Sequence, residues 1–134
     1  MLGDNGNNYV YIIMEKGTPI YEFFKTEISI RDVYRIILDI IEGLIYLHQK
    51  LIVHRDIKPD NVIIIGDNKK WKAVIIDFNI ATELGYSKTN FYCGTNGYTA
   101  PEIIDGHEYD YIVDNFSLGR LIAELQKYMY FINK

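Results

Sequence analysis

The chain has 134 residues, 49% of them hydrophobic, enough apolar material for one domain with its own core, which excludes global disorder. A formal net charge of -4 leaves no basic stripe for phosphate contacts, so the composition argues against a nucleic-acid partner. The single cysteine, Cys93, forms no internal disulfide, the opening "MLGDNGNN" has no signal-peptide pattern, and no apolar run reaches the roughly 20 residues of a membrane helix, so the expectation is an intracellular protein, cytoplasmic or nuclear, with no membrane partner.

In chain order, "YVYIIM" (9–14) is β-branched and aromatic and predicts a short strand running into the loop "EKGTP". Pro19 then opens one or two helical turns over "IYEFFKT". Residues 29–32, "SIRD", form a capping-box pattern, and Ile30, Val33, Ile37, Ile40, Ile41, Leu44 and Leu47 recur behind it at helical spacing as far as Gln49. This predicts a helix of about five turns with one buried face. Short strands follow: "LIV" (51–53), then the polar "HRDIKPDN", then a hairpin of "VIII" (62–65) and "KAVIID" (72–77) across the turn "GDNKK". Residues 79–96 read as loop. A last helix runs from residue 111 or 114 to 131, with Phe116, Leu118, Leu121, Ile122 and Leu125 apolar. There is no repeat and no linker, so residues 1–134 read as one α+β module, mostly helical, with small hairpins presenting polar loops.

The chemistry concentrates in "HRDIKPDN", residues 54–61, between two apolar strands. Asp56 can accept a proton or orient a hydroxyl, and Lys58 can neutralise a phosphoryl group. Asn61 offers a neutral oxygen to a metal, and Asp77, at the end of the hairpin, offers a second hard oxygen. Two such donors from separate loops, completed by phosphate oxygens and water, are the usual way a protein holds Mg2+. The set describes phosphoryl transfer, in which positioning and charge neutralisation do most of the catalysis. Other residues have plainer readings. His54 is a packing or hydrogen-bonding residue, Met14 and Ile63 are core residues first, and Cys93 is a small buried side chain. His107, Glu108 and Asp110 form a solvated loop whose spacing lacks a second His or a Cys for zinc.

Together "HRDIKPDN", "DFN" (77–79), "CGTNGYTAPE" (93–102) and "DNFSLG" (114–119) resemble the ordered motif set of the eukaryotic protein kinases, and Lys58 after Asp56 resembles the serine/threonine branch. The resemblance implies a kinase-like fold with a mostly helical C-terminal lobe carrying short β-hairpins, ATP and Mg2+ as cofactors, and a protein substrate. By it, Asp56 orients the substrate hydroxyl, Lys58 stabilises the transferring group, and Asn61 and Asp77 hold Mg2+. Thr95 ties the substrate-facing loop to Asp56 and Lys58. Met14 is similar to the gatekeeper, Glu15 and Gly17 belong to the hinge that bonds adenine, and Ile63 lies under the adenine ring. Arg55 resembles the arginine that pairs with an activation-segment phosphate, with Ser87 and Thr89 as candidate acceptors and Tyr92 behind them. Asp114 bonds the backbone of the catalytic loop, and His54 and Phe78 stack in a hydrophobic spine. Asn79 stands where the family has glycine, and asparagine best tolerates the left-handed backbone that glycine provides.

The resemblance runs from the hinge strand to the helix after "APE". By comparison with the family, the N-terminal lobe, with its Gly-rich loop, strand Lys and helix Glu, is missing, and so are the last helices, which supply an Arg partner for Glu102. Apolar residues of the last helix, Tyr128 and Phe131 among them, are then expected to face water, or a partner that covers the exposed helices. Two further functions stay open: a non-catalytic pseudokinase-like binding module, and a small-molecule phosphotransferase of kinase-like fold. The joint presence of Asp56, Lys58, Asn61 and Asp77 favours a kinase over the first. "GTNGYTAPE", similar to a peptide-docking loop, argues against the second.

Overall fold

In the computed structural model residues 11–67, 70–84 and 91–132 are described, with side chains as far as residue 130. The elements are strand β1 (Thr18–Pro19), helices α1 (Ile20–Phe23) and α2 (Ile30–Gln49), strands β2 (Ile52–Val53), β3 (Val62–Gly66), β4 (Trp71–Ile75) and β5 (Thr82–Glu83), then helices α3 (Pro101–Ile104) and α4 (Ile112–Ile132).

Helix α2 begins where its capping pattern predicts. Asp32 N–H donates to Ser29 Oγ at 3.3 Å and Ser29 N–H donates to Asp32 Oδ2 at 2.7 Å, satisfying two groups that an uncapped helix start leaves open. The Ser29 N–H first, and then the Ser29 hydroxyl, which donates to the same Oδ2 at 2.7 Å, hold the Asp32 carboxyl below the usual carboxylate range. Val33, Ile36, Ile40, Leu44 and Leu47 form its buried face. Ile30, expected on that face, is 49% exposed, because the first helical residue lies ahead of the turn where packing starts.

The buried face of α2 packs on a three-stranded antiparallel sheet of order β1-β3-β4, and with α1, the hairpin and α4 it encloses the main core. The hairpin register runs from Val62 opposite Ile75 to Gly66 opposite Trp71. Helix α2 also closes the outer rim of β4. Arg35 Nη2 donates to the Trp71 carbonyl at 2.5 Å, and Asp39 Oδ2 accepts the Ala73 N–H at 2.8 Å. The Arg35 guanidinium lies 4.2 Å above the Trp71 ring, and Phe23 meets that ring edge-on at 5.1 Å. A second cluster, Val53, Cys93, Ala100, Ile103 and Val113, packs the loops onto the start of α4.

Two expectations are corrected. The strand predicted over 9–14 is not formed: 11–17 carry no regular structure, Ile13 is 96% exposed, and strand pairing begins at Thr18 opposite Ile64; residues 9 and 10 lie outside the described residues. Apolar, β-branched composition makes a strand only where a neighbour pairs its backbone. The region read as loop holds β5, which pairs with β2 through Ile52 opposite Glu83 and Val53 opposite Thr82, and a two-residue strand is too short to show a period. It is followed by the single helical turn α3, opened by Pro101 at its first position. Along α4, Val113, Asp114, Ser117, Leu121 and Leu125 are buried while Phe116 and Tyr128 stay more than a third exposed, as expected of the latter; the Phe131 side chain lies outside the described residues. Among the described residues no helix is long and apolar enough to cross a membrane.

Candidate active site

The loop between β2 and β3 is held from below by α4. The buried Asp114 carboxylate accepts the His54 N–H at 2.9 Å on Oδ2 and the Arg55 N–H at 2.8 Å on Oδ1, and His48 Nε2 lies 2.9 Å from Oδ2. These bonds hold Arg55 in the left-handed region, φ 68°, a conformation a non-glycine residue keeps only when its surroundings impose it. His54 is buried, accepts the Asp56 N–H on Nδ1 at 3.3 Å, and has Nε2 3.0 Å from the Ile76 carbonyl, so its proton sits on Nε2. Its ring meets Phe78 edge-on at 4.9 Å. The loop is thereby locked to α4 on one side and to the end of the hairpin on the other.

Asp56 is the centre of the contacts that follow. Its Oδ1 accepts the Thr95 hydroxyl at 2.6 Å, and its Oδ2 accepts Asn61 Nδ2 at 3.0 Å and lies 3.1 Å from Lys58 Nζ. Lys58 Nζ also donates to Thr95 Oγ1 at 2.7 Å, and Asn61 Nδ2 to the Asp56 carbonyl at 2.8 Å. Burial alone would push the Asp56 carboxyl up. The hydrogen bonds from Thr95 and Lys58, the Lys58 charge and the Asn61 amide outweigh it and hold the group below the usual carboxylate range, so it is ionised at neutral pH.

Asp77 follows the end of β4, where the Ile76 N–H donates to the Asn61 carbonyl at 2.9 Å and so brings the two candidate ligands side by side along the backbone. The Asp77 side chain is exposed and its Oδ1 accepts the Asn79 N–H at 3.2 Å. The left-handed residue of this tripeptide is Asp77, at φ 65°, and not Asn79. The turn is closed by the Asp77 carboxylate on the Asn79 N–H, so position 79 needs no glycine-like backbone here.

The two oxygen donors suit a hard cation. Both donors of the Asn61 amide nitrogen face Asp56, which leaves Oδ1 as the acceptor, and Asp77 is a carboxylate with one oxygen uncommitted to Asn79. Among the described residues no cluster of three or more His, Cys, Asp or Glu could hold a metal by itself, so a cation here needs oxygens from a phosphate or water as well.

Of the other predicted residues, Gly17 lies against Ile63 so closely that an added Cβ would stand 2.7 Å from Ile63 Cδ1. Met14 is 62% exposed, and Met14 and Glu15 belong to the irregular stretch ahead of β1. Ser87 and Thr89 lie outside the described residues, and Tyr92 is 64% exposed. Sequence reasoning missed several supports. Arg55 Nη1 donates to Tyr109 OH at 3.0 Å and its Nε to the Ile80 carbonyl at 2.5 Å. Thr99 Oγ1 donates to the Thr95 carbonyl at 2.8 Å. Glu124 of α4 accepts the hydroxyls of both Tyr21 and Tyr98, and burial first, then the Glu124 carboxylate, pushes both phenols up. Except for the Thr99–Thr95 bond, which spans four residues, these contacts join residues far apart in sequence and leave no local pattern.

A closed network around Asp56, beside the Asn61 amide and the Asp77 carboxylate on an α+β frame, is the arrangement that the sequence motifs lead one to expect of a kinase-like lobe. The chain matches the protein kinase domain over residues 4–134 and belongs to the protein kinase family. It is 48% identical over 88 residues to a rhodopsin kinase of Homo sapiens, covering 64% of this chain and 15% of that protein. It is 34% identical over 133 residues to a MAP kinase kinase of Saccharomyces cerevisiae, covering 93% of this chain and 26% of the relative. A probable myosin light chain kinase of Dictyostelium discoideum is 33% identical over 121 residues, 86% of this chain and 31% of its own length. The chain thus spans less than a third of each of these relatives.

Proposed function

We propose that the chain carries the catalytic and acceptor-binding part of a protein serine/threonine kinase that moves the γ-phosphoryl group of ATP to a protein hydroxyl. The observation that carries this is the closed network of Asp56, Lys58, Thr95 and Asn61, in which each side chain fixes the next. Asp56 is held ionised and therefore a weak base. That suits a reaction with a loose transition state, where the carboxylate need only aim the acceptor hydroxyl and take its proton late. Lys58 reaches both Asp56 and Thr95, which supports the role of its charge in stabilising the transferring group. Asn61 and Asp77 would hold Mg2+, which when bound neutralises the phosphate charge. Gly17 and Ile63, in contact with each other, together with Met14 and Glu15, supply the adenine side.

The stripe of Ile30, Tyr34, Leu38 and Ile45, each about half exposed on α2, favours a second reading: a pseudokinase-like module that docks a partner through its helices. One experiment separates them. In the intact protein, Asp56→Asn is expected to lower transfer from Mg-ATP to serine/threonine peptides by about 10²–10⁴-fold, while affinity for a fluorescent ATP analogue stays within about threefold. Turnover at the wild-type rate in Asp56→Asn overturns the role of Asp56. A wild-type protein that neither binds Mg-ATP nor transfers phosphate leaves the binding module standing.

A further inference from the structure

Tyr109 sits in the loop between α3 and α4, outside every motif that defines the site. Its hydroxyl accepts from Arg55 Nη1 at 3.0 Å and donates to the Phe91 carbonyl at 3.1 Å. On the other side Arg55 Nε donates to the Ile80 carbonyl at 2.5 Å. One continuous chain of bonds, Ile80 to Arg55 to Tyr109 to Phe91, therefore joins the two ends of the segment between residues 80 and 91. The segment after Phe91 leads straight to the chemistry. Buried Cys93 has its Sγ 3.7 Å from Tyr109 OH. Gly94 lies so near Arg55 that an added Cβ would stand 2.9 Å from the Arg55 carbonyl oxygen. Thr95, next in sequence, holds Asp56.

We propose that Tyr109 is a positioning residue for phosphoryl transfer: acting through Arg55, its hydroxyl clasps the acceptor-facing segment to the catalytic loop. The proposal rests on the kinase reading above and deepens it. The clasp uses a neutral phenol, since the oxygen must keep its proton for Phe91 while accepting from Arg55. A phenol holds its proton at neutral pH without help, and burial pushes the Tyr109 group further up, against the opposing pull of the Arg55 bond. A tyrosine that only fills space needs the ring and not the oxygen, so Tyr109→Phe separates the two roles.

In the intact protein Tyr109→Phe is expected to raise KM for the protein acceptor about tenfold, with KM for ATP within about twofold. Cys93, the single cysteine of the chain, reports the same opening without reference to activity. Under native conditions its alkylation by iodoacetamide is expected to quicken about tenfold in Tyr109→Phe, with the melting midpoint held within about 2 °C. Arg55→Gln should give the same acceleration, and the double variant no more than either single one. Unchanged alkylation in Tyr109→Phe, or additive effects in the double variant, overturn the clasp. So does a variant that melts earlier and loses kcat with no change in acceptor KM, because that marks a purely structural residue. Absence of transfer by the wild-type protein sinks the kinase reading, and the alkylation rates then decide the clasp by themselves.

Discussion

Gly94 and Gly97 show how differently one residue type can matter within a single turn. Both have positive φ, 101° and 90°, but a Cβ on Gly94 would meet Thr99 Oγ1 at 2.8 Å and the Arg55 carbonyl at 2.9 Å, whereas one on Gly97 meets nothing within 4 Å. Gly97→Ala pays the backbone strain alone, about 1 kcal/mol. Gly94→Ala adds a clash with backbone that cannot move without loosening Thr95 from Asp56, and is expected to cost about 2–3 kcal/mol and, on the proposed function, most of the transfer activity. Urea denaturation of the two variants side by side measures the difference, and equal losses would show that the turn yields freely. At the same scale Asp77 and Asn79 are instructive. The sequence assigns the unusual backbone to Asn79 by analogy with glycine, but a carboxylate that can bond the second amide after it makes the turn at Asp77 instead.

Between elements, Asp114 ties α4 to the loop between β2 and β3. Its carboxylate takes two backbone N–H groups and the His48 ring while fully buried. Asp114→Asn keeps the shape but turns an NH2 group toward one of those donors. It is expected to cost about 2–4 kcal/mol in urea or thermal denaturation and to release the loop. A loss below about 0.5 kcal/mol would mean that the loop holds its shape without α4. This is also the scale at which the sequence is most and least legible. Helix α2 and the β3-β4 hairpin could be read because caps, periods and turn residues are local. Asp56, Lys58, Asn61 and Thr95 could be read as candidates because their spacing is fixed within short motifs. β5, α3 and Tyr109 could not, since a two-residue strand, a single turn and a hydroxyl bonded 54 residues away leave no periodic trace. The strand expected at 9–14 failed for the converse reason, a strong local pattern with no pairing over 11–17.

For the molecule as a whole, the balance between core and surface is uneven. Ile20, Ile36, Ile40 and Leu121 are fully buried, yet Tyr34, Leu38, Ile45 and Tyr46 of α2 are each more than half exposed. Apolar area left on one helix face favours association, with itself or with a partner of complementary surface. Leu38→Glu combined with Ile45→Glu is expected to shift the chain toward monomer in sedimentation velocity without lowering its melting midpoint by more than about 2 °C. A distribution that does not change would place the association surface elsewhere. The closure of β4 by α2 decides what form such association can take. Arg35 and Asp39, one helical turn apart, occupy the carbonyl of Trp71 and the amide of Ala73, two of the groups that an incoming strand would have to bond. Copies of this chain can adhere through their helices, but that rim of the hairpin gives no template for cross-β growth until α2 has been pulled away. Clumps of the folded protein should therefore dissolve when the helix face is covered, whereas fibres belong to the unfolded chain.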